Sequence, residues 1–248
     1  MNVERLTREE SRAVSRAASE EFKGELASVS PALAKHESVT LTEVWSRPEL
    51  TARDRCIVTL SSLITKNVMD ELPLNINFAL DNGLLPRELS EIVTHLAFYA
   101  GFPNAKAAAN RMKPIFVRRR ISVRDLPVAE PRLLPMNVEE EDARSSFINQ
   151  QFADAAPGVV QYTSDLLFRN LWLRPDLQPR DRSLVTFSSL IAGGHVAQIP
   201  FHLNRAMDSG LTQEEASEVL THLAFEVGWP SVFAAMPIVR EVFQKRQG

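Results

Sequence analysis

Apolar residues recur along this chain with the period of an α-helix, and over no strand-length stretch do they alternate with polar ones. Ile57, Val58, Leu60, Leu63 and Ile64 make a broad apolar face that predicts a core helix from Ala52 to Thr65, with Thr51 as its N-cap. Leu89, Ile92, Val93, Leu96, Ala97 and Ala100 predict another that starts at Pro86 and meets its stop signal at Gly101-Phe102-Pro103. Between them, Pro73 fits the first turn of a helix reaching to about Asp81, where its missing N–H costs least, and Gly83 ends it. A last helix near 104–116 closes the block. Upstream, Thr7 and Glu10 form a capping box for a leading helix that ends near Leu26. Pro31 opens a second, which stops near Arg47-Pro48 because a residue before proline is driven out of the helical region.

The same pattern is then written again. A shift of about 127 positions lays Arg53-Asp54-Arg55 on Arg180-Asp181-Arg182 and brings SSLI, Gly83/Gly210, THLAF and Pro103/Pro230 into register, with roughly 32 of about 73 positions identical. Residues 117–135 between the copies hold three prolines and little periodicity, and read as a surface linker with solvated arginines. Asn137 with Glu140 caps the second leading helix, and Pro157 matches Pro31. The expected fold is all-α, with two tandem units over 1–116 and 136–248.

Composition narrows the chemistry. A net charge of -3 gives no electrostatic reason to expect nucleic acid or an anionic membrane, leaving a small molecule or a protein as partner. Cys56 is the single cysteine, so an intrachain disulfide, a CxxC redox pair and a cysteine-based zinc site are all excluded. The N-terminal residues carry no apolar signal core and no run approaches a membrane span, so the cytoplasm is the expected location.

The string W-x-R-P-x-L-x-x-x-x-R at Trp45–Arg55 and again at Trp172–Arg182 resembles the carboxymuconolactone decarboxylase family, the group that also contains alkylhydroperoxidase D. So does the run of His202, Ala206 and Gly210, followed by Glu218-Val219-Leu220 and Gly228-x-Pro230. The resemblance implies two alkylhydroperoxidase D-like helical units. Single-unit members assemble as rings of six units, so it also implies a homotrimer of this tandem chain, against the alternative of a monomer whose halves satisfy each other. Matching the alkylhydroperoxidase motif onto His202 puts its cysteine positions on His195 and Gln198 and its glutamate position on Ser183. In the first half the corresponding positions are Asn75, Val68, Glu71 and Cys56. Neither half supplies a dithiol, so thiol peroxidase chemistry is rejected.

The decarboxylase branch more often carries E-x-x-x-H here, and this chain divides it. Glu71 stands in the first half opposite Asn75, and His202 in the second opposite Gln198. The resemblance implies a cofactor-free and metal-free carboxy-lyase acting on a small carboxylated lactone or unsaturated acid. His202 would be the general acid, with Gln198 or His195 donating to the developing oxyanion. Arg182 would pair with a substrate carboxylate, with Glu71 as a second substrate-binding candidate, and a site shared between units would reunite Glu71 with His202. His95 and His222, identical in both copies, read as structural, although Glu226 lies one turn beyond His222 and can reach its ring as an acid–base pair. A related isomerase or proton-transfer enzyme, and a noncatalytic helical assembly or ligand binder, stay open beside the lyase.

Overall fold

The computed structural model of the protein describes residues 26–247. The leading helix expected between Thr7 and about Leu26 lies outside the described residues. Among these, all regular structure is helical. α1 (Pro31–Val39) continues into a π-helical turn at Thr40–Val44 and is followed by α2 (Ala52–Thr65), α3 (Leu72–Asp81), α4 (Pro86–Tyr99) and α5 (Phe102–Arg118). The second copy brings α6 (Val138–Phe152), α7 (Pro157–Tyr162) with a π-helical turn at Thr163–Phe168, α8 (Pro179–Gly193), α9 (Ile199–Asp208), α10 (Gln213–Val227) and α11 (Trp229–Gln247). The caps read from the sequence are in place: Thr51 accepts the Asp54 N–H at 3.1 Å and Asn137 that of Glu140 at 3.3 Å. No helix among the described residues is long and apolar enough to cross a membrane.

α2 and α8 form the axis. Arg53 at the start of α2 donates to Asp181 at the start of α8 (2.7 Å), and Thr65 at the end of one donates to Ser189 near the end of the other (2.8 Å), so the two helices run side by side in the same sense. Each is buried on every side over most of its length. Small hydroxyl residues make this tolerable, because they permit close approach and bond their own helix: Ser61 donates to the Ile57 carbonyl at 2.7 Å and Thr186 to that of Arg182 at 3.0 Å. At the helix starts Arg180 also crosses to Asp54 at 3.1 Å, while within its own copy Arg53 meets Glu88 at 2.5 Å and Arg180 meets Glu215 at 2.6 Å.

The two units share one apolar core, drawn from α2–α5 and α8–α11 together. The linker is also fastened down. Arg174 donates to the carbonyls of Val128 (3.1 Å) and Ala129 (2.9 Å), and the Leu134 N–H donates to Leu173 (2.7 Å). A stretch whose prolines prevent helical pairing leaves carbonyls free, and the second unit collects them.

Candidate active site

The units exchange the polar side chains that both copies share. Arg182 on α8 is fully buried and reaches into the first unit, donating to Glu91 on α4 (2.9 Å) and to the Arg174 carbonyl (2.9 Å), with His95 Nδ1 3.3 Å away. Arg55 on α2 does the converse, donating to Glu218 on α10 (2.8 Å) and the Arg47 carbonyl (2.8 Å), with His222 Nδ1 at 3.4 Å. A buried guanidinium needs both charge pairing and hydrogen bonds, and these pairs supply most of them across the repeat boundary, leaving Nε of Arg55 and of Arg182 buried without a partner among the described residues. Two composite centres result, each with a histidine from one half and an arginine from the other.

In the first centre, Thr186 donates to the Arg182 carbonyl, so at 2.7 Å it accepts from Nε2–H of His95, which leaves Nδ1 facing Arg182 as an acceptor. Burial, and then the Arg182 charge, holds the His95 pKa well below the usual value. Tyr99, one turn on, stacks on His95 with centroids 4.8 Å apart, and its Oη accepts the Trp172 Nε1–H at 2.9 Å. The phenol's own proton has no acceptor among the described residues. Burial raises its pKa, so it stays a phenol. His202, at the start of α9, lies parallel to Trp172 (5.8 Å, 16°) and edge-on to Tyr99 (5.3 Å) and Phe201 (5.0 Å). It is 7% exposed, with Nδ1 lacking a partner among the described residues. Burial and then the Arg205 charge lower its pKa to about 3, so the ring is neutral near neutral pH.

An open cavity of about 550 Å³ adjoins this centre at the ends of α2, α4 and α8. Tyr99 lines it, together with Thr65, Lys66, Gly193 and His195, and so joins the cavity to the aromatic cage. His195 is exposed and its ring covers Gly193: a Cβ there would lie 2.7 Å from His195 Cδ2, so the absence of a side chain lets the imidazole sit against the helix end.

The second centre repeats the frame with other contents. Thr59 donates to Glu226 Oε1 (3.0 Å) and therefore accepts from Nε2–H of His222 (2.8 Å). The His222–Glu226 pair expected from the i, i+4 spacing is present at 3.4 Å. Trp45 takes the edge-on place beside His222 that Trp172 has beside His95, at 5.1 Å in both. Glu226 stands where the first centre has Tyr99, and Phe78, edge-on to Trp45, stands where it has Arg205. Asn75 replaces His202 and turns its amide back to the Glu71 carbonyl (3.0 Å).

These geometries revise several sequence readings. Arg182 is not open to substrate, because its guanidinium is enclosed and occupied by Glu91 and the Arg174 carbonyl. His202, expected as a general acid, is kept neutral by burial and then by Arg205. Glu71 is exposed at the start of α3, in the other half from His202, and no contact reunites them. Gln198 is exposed in a 3₁₀ turn ahead of α9 and has no hydrogen bond to His202. Tyr99, Arg205 and Arg144 went unselected; for the first two, the readable signal was divergence between otherwise matching copies.

The profile of the Carboxymuconolactone decarboxylase family matches residues 33–113 and 157–241, so it covers both copies. The chain is 36% identical over 74 residues to a 4-carboxymuconolactone decarboxylase of Acinetobacter baylyi, covering 30% of this chain and 55% of that protein. It is 38% identical over 61 residues to a nitrosuccinic acid decarboxylase of Metarhizium robertsii, covering 25% of this chain and 43% of that protein. The chain thus spans about half the length of the curated relatives it matches.

Proposed function

The chain belongs to the carboxymuconolactone decarboxylase family, and from that premise we propose that it is a carboxy-lyase whose chemistry takes place at the centre of Tyr99, Trp172 and His202. The observation that carries the reading is the pairing, inside one aromatic cage built by both halves, of a phenol proton without an acceptor and a buried neutral imidazole with an unpartnered nitrogen. The substrates in the two relatives' names are carboxylic acids, which suits a centre flanked by Arg205.

Loss of the carboxyl group breaks its carbon–carbon bond, releases carbon dioxide and leaves the electron pair on the substrate, delocalised into a conjugated carbonyl or nitro group as an enolate or nitronate. Tyr99 accepts from Trp172 and so keeps its proton for the enolate oxygen, a donor already aimed before charge develops. His202 passes a proton from water to the carbanionic carbon, working through its neutral ring. The walls of Phe168 and Trp172, both buried, hold water away from the departing carboxylate.

The test is release of carbon dioxide from 4-carboxymuconolactone and from nitrosuccinic acid, by the protein and by His202→Ala. Turnover that falls at least about a hundredfold in the variant, with an unchanged melting curve, is the expected result. No carbon dioxide from either acid, or full turnover in the variant, would overturn the reading.

A further inference from the structure

Beside the His202 ring the structure gathers cations without enough acceptors. Arg205 lies over Trp172 (4.4 Å) and over Phe168 (5.6 Å), and among the described residues it makes no hydrogen bond. Its nearest carboxylate, Glu140, is 3.9 Å away and 65% exposed, which leaves that pair screened by solvent. Arg144, from α6, covers the same Phe168 ring at 4.0 Å. Its Nε and Nη2 fork onto Glu141 (2.7 and 2.8 Å) and Nη2 also reaches Ser164 (3.2 Å). Its side chain is 9% exposed, and Nη1 is buried with no partner among the described residues. Glu141 is shared further with Arg169 at 3.4 Å, whose other contact, Asp142, is 62% exposed. Two arginines, Arg144 and Arg169, therefore share the one buried carboxylate of Glu141, Arg205 has only the exposed Glu140, and buried Nδ1 of His202 also lacks a partner.

An orphaned buried guanidinium nitrogen, and over the same aromatic wall a second guanidinium whose one ion pair is with a solvent-exposed carboxylate, call for a planar anion, since aromatic faces orient a guanidinium without neutralising it. We propose that Arg205 and Arg144, set against Phe168 and Trp172, are the residues that anchor the carboxylate which the substrate keeps when the other is lost. This rests on the lyase reading for its division into a kept and a lost carboxylate. The division follows from the geometry of the donors: a carboxylate gripped by two guanidinium groups is stabilised where it stands, and the one that leaves must lie toward the apolar cage and Tyr99. Arg144 falls between the two segments matched by the family profile, so this half of the anchor is supplied by the helix that leads into the second copy. The counterpart of Arg205 is Phe78, so the other centre has no such anchor.

Binding can be measured without turnover. The full chain is titrated with succinate, and with neutral succinamide as its isostere, by calorimetry and tryptophan fluorescence, for wild type, Arg205→Met, Arg205→Lys and Arg144→Met. Succinate is expected to bind saturably and succinamide at least about tenfold more weakly, with succinate affinity falling at least about tenfold in Arg205→Met and recovering in part in Arg205→Lys. Arg144→Met, which keeps an apolar contact to Phe168, is expected to lower affinity several-fold while leaving the circular dichroism spectrum unchanged. Equal affinity for succinate and succinamide, no saturable binding, or succinate affinity untouched by both methionine substitutions would overturn the anchor. Because no bond is broken, that failure is distinct from an absence of carbon dioxide release.

Discussion

At one composite centre His95 carries Tyr99 on its face and Trp172 at its edge, with Arg205 beyond; at the other His222 has Trp45 at its edge, Glu226 beside it and Phe78 beyond. The residues common to both are those that hold the halves together: arginine to glutamate, histidine to threonine, tryptophan to histidine. The differences lie at the rim, where one centre presents a phenol, an imidazole and cations, and the other a carboxylate, an amide and a benzene ring. Duplication kept what packing and buried charge require, and released the positions around it to change sign. Identity between the repeats marks the frame, and the candidate site differs from its counterpart where the repeats disagree.

The largest expected effect tests the shared frame. Arg182→Ala and Arg55→Ala each take the fully buried partner from a buried glutamate, leaving Glu91 with Arg174 and Glu218 with Arg47, and each is expected to cost about 3 kcal/mol in denaturant unfolding. A loss in one half under about 1 kcal/mol would show that the two centres are not built alike. Next in size is a kinetic contrast. Tyr99→Phe keeps the ring on His95 and removes the donor, so turnover is expected to fall roughly a hundredfold, with Glu226→Gln changing it less than about twofold. Equal losses would place chemistry in both centres and end the distinction.

The smallest effect, taken per pH unit, is on acid stability. His202 has a folded pKa of about 3 against an ordinary 6.5, so above 6.5 it is neutral folded or unfolded. As pH falls from 6.5 toward 3, the unfolded chain takes up a proton that the fold refuses, and stability declines by about 1.4 kcal/mol per pH unit on this group's account. His202→Asn, which copies the residue at Asn75, is expected to make the acid side of the stability curve shallower by about that slope. An unaltered slope would contradict the burial of a neutral ring.

Much of the frame was legible. Thr51 and Asn137 cap the helices they were expected to cap, the helix led by Pro73 begins at Leu72, and the repeat brackets the same helices twice. These features depend on residues within one turn of each other, where backbone hydrogen bonding leaves few options. The candidate site was read less well. His202 stood out through its motif, but Arg182 was assigned to substrate because a sequence shows the charge and not its partner. Arg144 carried no signal, being in a leading helix outside the repeated stretch. The His222–Glu226 pair was visible because four positions along a helix is a contact by geometry alone.

By itself, then, the sequence determined that the chain is helical, that it is duplicated, and that no dithiol is present, for these follow from local periodicity, internal identity and composition. Only the tertiary structure decided that Arg182 belongs to Glu91, 91 positions away, that Tyr99 meets Trp172 and His202 of the other half, and that His202 is buried neutral. The physical reason is that helical period says which side of a helix turns inward and is silent on which helix it meets. With two equivalent units, packing within each and packing across them satisfy the same pattern, and the choice rests on where buried arginines find their carboxylates.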